Sequence, residues 1–176
     1  MNRPNENCYW VVPGKLLAGE YPGHKDAEVT RTRLQEYLKC GVTFFLDLTE
    51  SHELVAYQSL LEAEAAALSR SVEYRRMPIR DVSVPATKEQ AVAILDCVDT
   101  ALNAGHTVYV HCWGGVGRTG TINGCWLVRH GMTGAQALAQ LAAWWSTVQK
   151  FSRKPHCPET HEQREWVRTW AEPLRQ

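Results

Sequence analysis

The segment Val108 to Gly120, VYVHCWGGVGRTG, places an arginine six residues after a cysteine, with three glycines between them. TVYVH reads as a strand, Cys112 to Gly117 as a turn, and Arg118 to about His130 as a helix with Gly131 behind it. Such a turn points several backbone N–H groups at one spot. The helix N-terminus adds its positive dipole end, so the whole is an anion cradle. Trp113, Gly114, Gly115, Val116, Gly117 and Arg118 form its wall. Cys112 stands at its mouth. A cysteine beside a helix N-terminus and a cation is largely thiolate at neutral pH, and a thiolate beneath a phosphorus atom is a nucleophile. Arg118 offers a planar fork to two phosphoryl oxygens. Thr119 follows with a hydroxyl that can bond the sulfur. The spacing alone is weak: 13 arginines and six cysteines give roughly 0.4 such pairs by chance. Only Cys112 has one, and the glycines, His111 and Thr119 around it have no packing purpose in common.

Breaking a phosphate ester also needs a proton donor for the leaving oxygen. The chain has five aspartates, at 26, 47, 81, 96 and 99. Asp96 and Asp99 fall inside a helix and Asp47 inside an apolar strand. Asp81 lies in a loop framed by two prolines, PIRDVSVP, 31 residues before Cys112. It is the candidate acid, with turn capping as the alternative. Glu50, just after the LDLT strand, is a candidate carboxylate for Arg118, with a solvated surface glutamate as the other reading.

The elements that must hold these residues alternate short β-rich runs with longer helices, the pattern of an α/β layer fold. Tyr9–Val12 and Lys15–Ala18 flank Pro13-Gly14 as a hairpin. Asp26–Cys40 is a helix stopped by Gly41. Val42–Leu48 is a buried strand, Glu53–Ser69 a helix, and Val72–Met77 a short strand. Thr87–Ala104 is a helix with capping-box spacing between Thr87 and Gln90 and a stripe of Ile94, Leu95, Val98, Ala101 and Leu102. Thr133 and Gln136 open another helix to about Val148, and Glu159–Ala171 is the last. Trp144, Trp145, Trp166 and Trp170 read as core, while Trp113 reads as the rim of the anion turn.

The chain has 176 residues, 44% of them hydrophobic and 22% charged, which fits one soluble domain. Its formal net charge is zero, which argues against a dedicated nucleic-acid binder. No apolar window is long enough to span a membrane, and the start, MNRPNENCYW, lacks the apolar core of a signal peptide. The expectation is a cytoplasmic monomer with six free thiols, no cofactor and no metal. A structural zinc near Cys157 and His161 is the alternative, but tetrahedral sites usually take paired ligands.

HCWGGVGRTG resembles the H-C-x5-R-[ST] signature of the protein-tyrosine phosphatases. The likeness runs from about Tyr9 to Trp170, through PGKLLAGEYP, GVTFFLDLTE and PIRDVSVP, and leans to the dual-specificity and kinase-associated-phosphatase branch. It implies a single domain over 1–176 with a central, mostly parallel sheet flanked by helices. It implies hydrolysis of phosphate monoesters, on phosphotyrosine and also phosphoserine or phosphothreonine in proteins, through a phosphocysteine on Cys112 and without a metal. By the same resemblance Arg118 binds the phosphate, His111 helps set the thiolate, Thr119 helps the sulfur leave, and Asp81 acts as acid and then as base. PETHEQ, Pro158 to Gln163, resembles the loop that positions water in classical members. Gln163 matches one of its glutamines, and Glu159 stands where those members carry the other. Competing readings are a rhodanese-type sulfurtransferase, a phosphoinositide or other small-molecule phosphatase, and a phosphopeptide-binding pseudoenzyme.

Overall fold

The computed structural model describes residues 2–173, so Met1 and residues 174–176 of the expected domain lie outside it. Five strands form one sheet: β1 (Cys8–Val12), β2 (Leu16–Gly19), β3 (Phe44–Asp47), β4 (Glu73–Arg76) and β5 (Val108–His111), in the order β1-β2-β5-β3-β4. Only β1 and β2 run antiparallel, as the hairpin around Pro13-Gly14; the other three pairings are parallel. β5 therefore lies at the centre, with β2 and β3 on either side. Its C-terminal end is the crevice where open α/β sheets hold ligands.

The period-2 alternation of the central strands divides the interior in two. Leu16, Ala18, Phe44, Leu46, Val108 and Val110 face one layer. There they meet α3 (Lys88–Asn103), α4 (Gly117–Arg129), α5 (Gly134–Trp145) and α6 (His161–Arg168). Leu17, Phe45 and Tyr109 face the opposite layer with Leu34, Leu38 and Leu61 from α1 (Ala27–Lys39) and α2 (Gln58–Ala67). Helix α4 is buried along nearly its whole length. A Cβ at Gly124 would stand 2.7 Å from the Val167 methyls, so this glycine lets α6 approach α4 closely. No described helix is long and apolar enough to cross a membrane.

Three helices differ from the sequence reading at their ends. The second helix begins at Gln58 rather than Glu53, because Glu53 and Tyr57 are taken up by the site described below. The fifth ends at Trp145 and is followed by a 3-10 turn, Gln149–Ser152. The last starts at His161, because Thr160 and not Glu159 caps it, and it ends at Arg168 rather than Ala171. The cap at Thr87 forms as expected, its hydroxyl accepting from Gln90 N. The Gln90 side chain instead accepts from Ala86 N and donates to the Pro78 carbonyl, which ties α3 to the proline-framed loop.

Candidate active site

Strand β5 ends at His111, and the chain passes through Cys112–Val116 into α4. The turn is locked to the neighbouring strand by a hydrogen bond from Tyr21 N to the Trp113 carbonyl, 3.0 Å. Gly115 is the position that must be glycine. Its φ is +74°, and a Cβ there would sit 2.4 Å from the Gly19 backbone. Among the described residues, none of the amides of Trp113–Val116 donates to a protein acceptor. The first N–H groups of α4 lack intrahelical partners by construction. These donors belong to the turn that follows Cys112, and Cys112 and most of that turn line a cavity of about 450 Å³.

Arg118 sits on the first turn of α4 and is 1% exposed. Its Nη1 and Nη2 donate to both Glu53 oxygens at 2.6 and 2.8 Å, a bidentate pair. Nη1 also donates to the Ile79 carbonyl at 3.0 Å, and Nη2 lies 2.8 Å from Asp81 Oδ1. The carboxylate on Arg118 is therefore Glu53, not Glu50. Glu50 contributes only backbone groups: its N–H donates to Glu53 Oε1 at 2.6 Å and its carbonyl accepts from Glu53 N at 3.2 Å, which shapes the turn that presents Glu53. Burial alone would lower the Arg118 pKa, but the bonds to Glu53 and the nearby charge of Cys112 hold it above the usual guanidinium value. For Glu53, burial pulls up and the Arg118 bonds pull down, and the net is a carboxyl below its ordinary value. The pair is ionised throughout the neutral range. Arg118 Nε and Thr119 Oγ1 are buried with no hydrogen-bond partner among the described residues. Both belong to the cradle, and both have capacity left for an oxyanion or a sulfur.

Behind Cys112 lies a buried polar chain that holds His111. Tyr57 Oη is 2.6 Å from His111 Nε2, and Asp47 Oδ1 is 3.9 Å from Nδ1. Burial pushes the His111 pKa down, against the pull of Asp47, so the ring is neutral. Burial pushes the Tyr57 phenol up. A protonated phenol donates to Nε2, which leaves the ring proton on Nδ1, facing Asp47. Asp47 would be raised by burial; the hydrogen bonds from Thr49 and Tyr74 outweigh that and keep it below its ordinary value. Its oxygens accept from Thr49 N at 2.8 Å, Thr49 Oγ1 at 2.7 Å, Tyr74 Oη at 2.7 Å and Arg76 at 3.1 Å. A carboxylate so saturated is a structural anion, unsuited to shuttling protons. Asp81 is different: its side chain is 48% exposed, on a loop that lines the cavity.

That loop is fastened at three points. Arg118 holds the Ile79 carbonyl and Gln90 holds the Pro78 carbonyl. Gln163 Nε2 donates to the Ser83 carbonyl at 2.9 Å. Gln163 is fully buried on the first turn of α6 and lies against Gly117, where a Cβ would stand 2.9 Å from Nε2. Its Oε1 accepts from Thr160 N, so both ends of the amide are engaged. Glu159 also lines the cavity and pairs with Lys154. Trp113 stands at the rim, 52% exposed. Cys157, considered as a zinc ligand, points inward instead, 3.4 Å from the Val116 carbonyl under the turn.

The structure thus brings Cys112, Arg118, Thr119, Asp81, His111 and Gln163 to one place and leaves Glu50 aside. Sequence reading missed Glu53 and Tyr57. Glu53 had a signal, a carboxylate in the segment after β3, but so did Glu50. Tyr57 had none.

Comparison with known proteins follows the same lines. Residues 5–167 match the phosphatase domain of the DSP-PTPase type found in the Swiss Army Knife proteins. The protein 067L of Invertebrate iridescent virus 3, named for tyrosine phosphatase activity, is 28% identical over 162 residues, which are 89% of this chain and 58% of the viral one. The chain thus spans a little over half the length of that relative. The crystal structure of Tk-PTP in its active form superposes with a TM-score of 0.68 at 25% identity, covering 90% of this chain and 92% of that one. Kinase-associated phosphatase, solved with its catalytic cysteine replaced by serine, shares the fold with a TM-score of 0.67 at 20% identity, covering 86% and 83%.

Proposed function

This chain belongs to the family of DSP-PTPase phosphatase domains, and we propose that it hydrolyses phosphate monoesters, phosphotyrosine in proteins first among them, through a phosphocysteine on Cys112. The observation that carries the reading is the buried Arg118. It is clamped by Glu53, yet keeps an unpartnered Nε beside a turn whose amides are also unpartnered. That arrangement suits a phosphoryl group above Cys112. The sulfur attacks phosphorus as the ester P–O bond breaks, and Asp81 protonates the departing oxygen. Arg118 Nε and the amides of Trp113–Arg118 hold the equatorial oxygens as charge spreads over them. In the second step water attacks phosphorus, Asp81 takes its proton, and the S–P bond breaks to release inorganic phosphate. Thr119 Oγ1 donates to the sulfur as it leaves. Neutral His111 holds the backbone of the nucleophile in place. Gln163 holds the acid loop and flanks the cavity from which water attacks. Guanidinium and amides supply the charge, so the reaction as drawn uses no metal. Six unpaired thiols suit a reducing compartment, and the cytoplasm is the assignment that fits them.

The test is Cys112→Ser with a phosphotyrosyl peptide. Turnover should vanish while the peptide still binds with an affinity close to that of the wild type. Residual turnover in that variant, free of wild-type contamination, would exclude the covalent route.

A further inference from the structure

One part of the cavity wall is not needed by the chemistry above. It comes from the segment between α5 and α6, Lys150-Phe151-Ser152-Arg153-Lys154, and places Lys150, Arg153 and Lys154 around the mouth. The chain as a whole has no net charge, so three cations in five residues are a local concentration. Two of them are matched within the protein, Lys150 by Glu20 and Lys154 by Glu159. The Arg153 side chain has no anionic partner among the described residues. The scissile phosphate already has Arg118 and the amides at the floor of the cavity, so a cation on a separate wall serves a different group.

The same mouth gathers apolar surface. Among the described residues, five large apolar side chains are exposed. Two of them, Val82 at 59% and Trp113 at 52%, line this opening. Val55, a third, lines a second cavity of about 580 Å³ that shares Trp113 as a wall. A small polyanion has no use for an exposed indole between two cavities. A phosphotyrosyl ring does, with chain running on from it to either side.

We infer that the site selects phosphotyrosyl peptide segments that carry a second anionic side chain, acidic or phosphorylated, close to the phosphotyrosine, and that Arg153 is the residue that reads it. This rests on the phosphatase reading and names the substrate class for it. Steering by an unmatched cation at a cavity mouth acts on association and weakens with salt.

The test uses the full chain and pairs of peptides of one sequence, with phosphotyrosine flanked either by alanine or by glutamate and phosphoserine. The readout is the ratio of kcat/KM between the two. It should favour the anionic peptide about three- to tenfold at low ionic strength and fall toward one at high salt. Arg153→Ala should bring the low-salt ratio below about twofold, and Arg153→Glu should invert it. The same ratio, read as binding to Cys112→Ser, needs no turnover. Loss of turnover on every ester with the binding ratio intact would sink the phosphatase reading and keep this one. A wild-type ratio near one, or a ratio unmoved in both Arg153 variants, overturns the inference. So does an Arg153-dependent preference for a soluble inositol polyphosphate over the anionic peptide, because the occupant would then be wrong.

Discussion

Replacing Glu53 by glutamine keeps the shape of the side chain and removes its charge from a guanidinium that is almost wholly buried. Two charge-assisted hydrogen bonds, at 2.6 and 2.8 Å, lose their ionic partner. Removing one member of a buried ion pair typically costs about 3–5 kcal/mol. Here the Ile79 and Leu48 carbonyls and the half-exposed Asp81 remain on Arg118. The loss should therefore lie nearer 2–4 kcal/mol, or about 5–15 °C in Tm for a chain of this size. The guanidinium would also lose the fork that fixes its plane. A transition-state donor displaced by about 1 Å costs on the order of 10²-fold in kcat. Glu50→Gln is the matched control: only the Glu50 backbone N–H and carbonyl take part, and the substitution retains both. Its kcat/KM should stay within about twofold of the wild type, as surface substitutions usually do. The assay is aryl phosphate hydrolysis with thermal unfolding for wild type, Glu50→Gln and Glu53→Gln side by side. Equal losses in the two variants, or an unchanged kcat in Glu53→Gln, would refute the assignment of Glu53 as the residue that positions Arg118.

Three further outcomes follow from the same geometry. Asp81→Asn should slow esters with poor leaving groups by about 10²–10⁴-fold and spare activated phenolates, which a leaving-group series would read directly. On brief exposure to dilute peroxide, mass spectrometry should find Cys112 modified first. Burial pushes the thiols of Cys8 to about 11 and Cys157 to about 12, and also raises Cys40, Cys97 and Cys125. Asp47, depressed in the folded state, contributes stability that is present above the unfolded carboxyl value and lost as pH falls through its folded one. Asp47→Asn should therefore unfold more easily than the wild type at neutral pH, by about 2–4 kcal/mol, with the gap closing below about pH 4. A gap that does not change with pH would mean that packing, not charge, is what the substitution removes.

What the sequence made legible was whatever is encoded locally. Pro13-Gly14 between two apolar runs gave the hairpin. Thr133 and Gln136 gave a capping box that forms in full. Strand, glycine turn and helix around Cys112 could be read because the strand ends, the φ of Gly115 and the start of α4 are all set within a dozen residues. The apolar run Val42–Leu48 announced a buried strand, and Phe44–Asp47 within it is buried on both faces. What could not be read were choices made at a distance. Nothing near Glu50 or Glu53 says which carboxylate meets an arginine 65 residues away. The reading of a helix from Glu53 was reasonable by propensity, yet tertiary contacts override it: Glu53 is drawn to Arg118 and Tyr57 to His111, so regular structure waits until Gln58. The basic wall escaped for the same reason. KFSRK reads as an exposed charged stretch until the fold sets it across from a turn that lies some thirty residues before it.

The position of Asp81 ties these pieces into one mechanical argument. In this structure the proposed acid sits on Nη2 of the proposed phosphate ligand, 2.8 Å away. An arriving phosphate dianion competes for the same arginine, and two anions cannot share it at close range without repulsion. Asp81 must therefore move as substrate enters, and the fold determines what can move. The loop backbone is pinned at Pro78, Ile79 and Ser83 by Gln90, Arg118 and Gln163. Between the last two pins lie Arg80, Asp81 and Val82, with Val82 held at φ +57°, a strained conformation for a β-branched residue. The displaced carboxylate then has one short path, a rotation of the side chain and of the Asp81–Val82 tip, with the rest of the loop still. Asp81 and Val82 both line the cavity, so such a rotation stays at its edge, where the proposed reaction needs the acid. On the proposed mechanism Gln163 acts through the loop it holds, because its bond to the Ser83 carbonyl is the third pin. Gln163→Ala should accordingly lose the leaving-group discrimination that Asp81 provides while still binding phosphate, and unaltered discrimination in that variant would place the pin elsewhere.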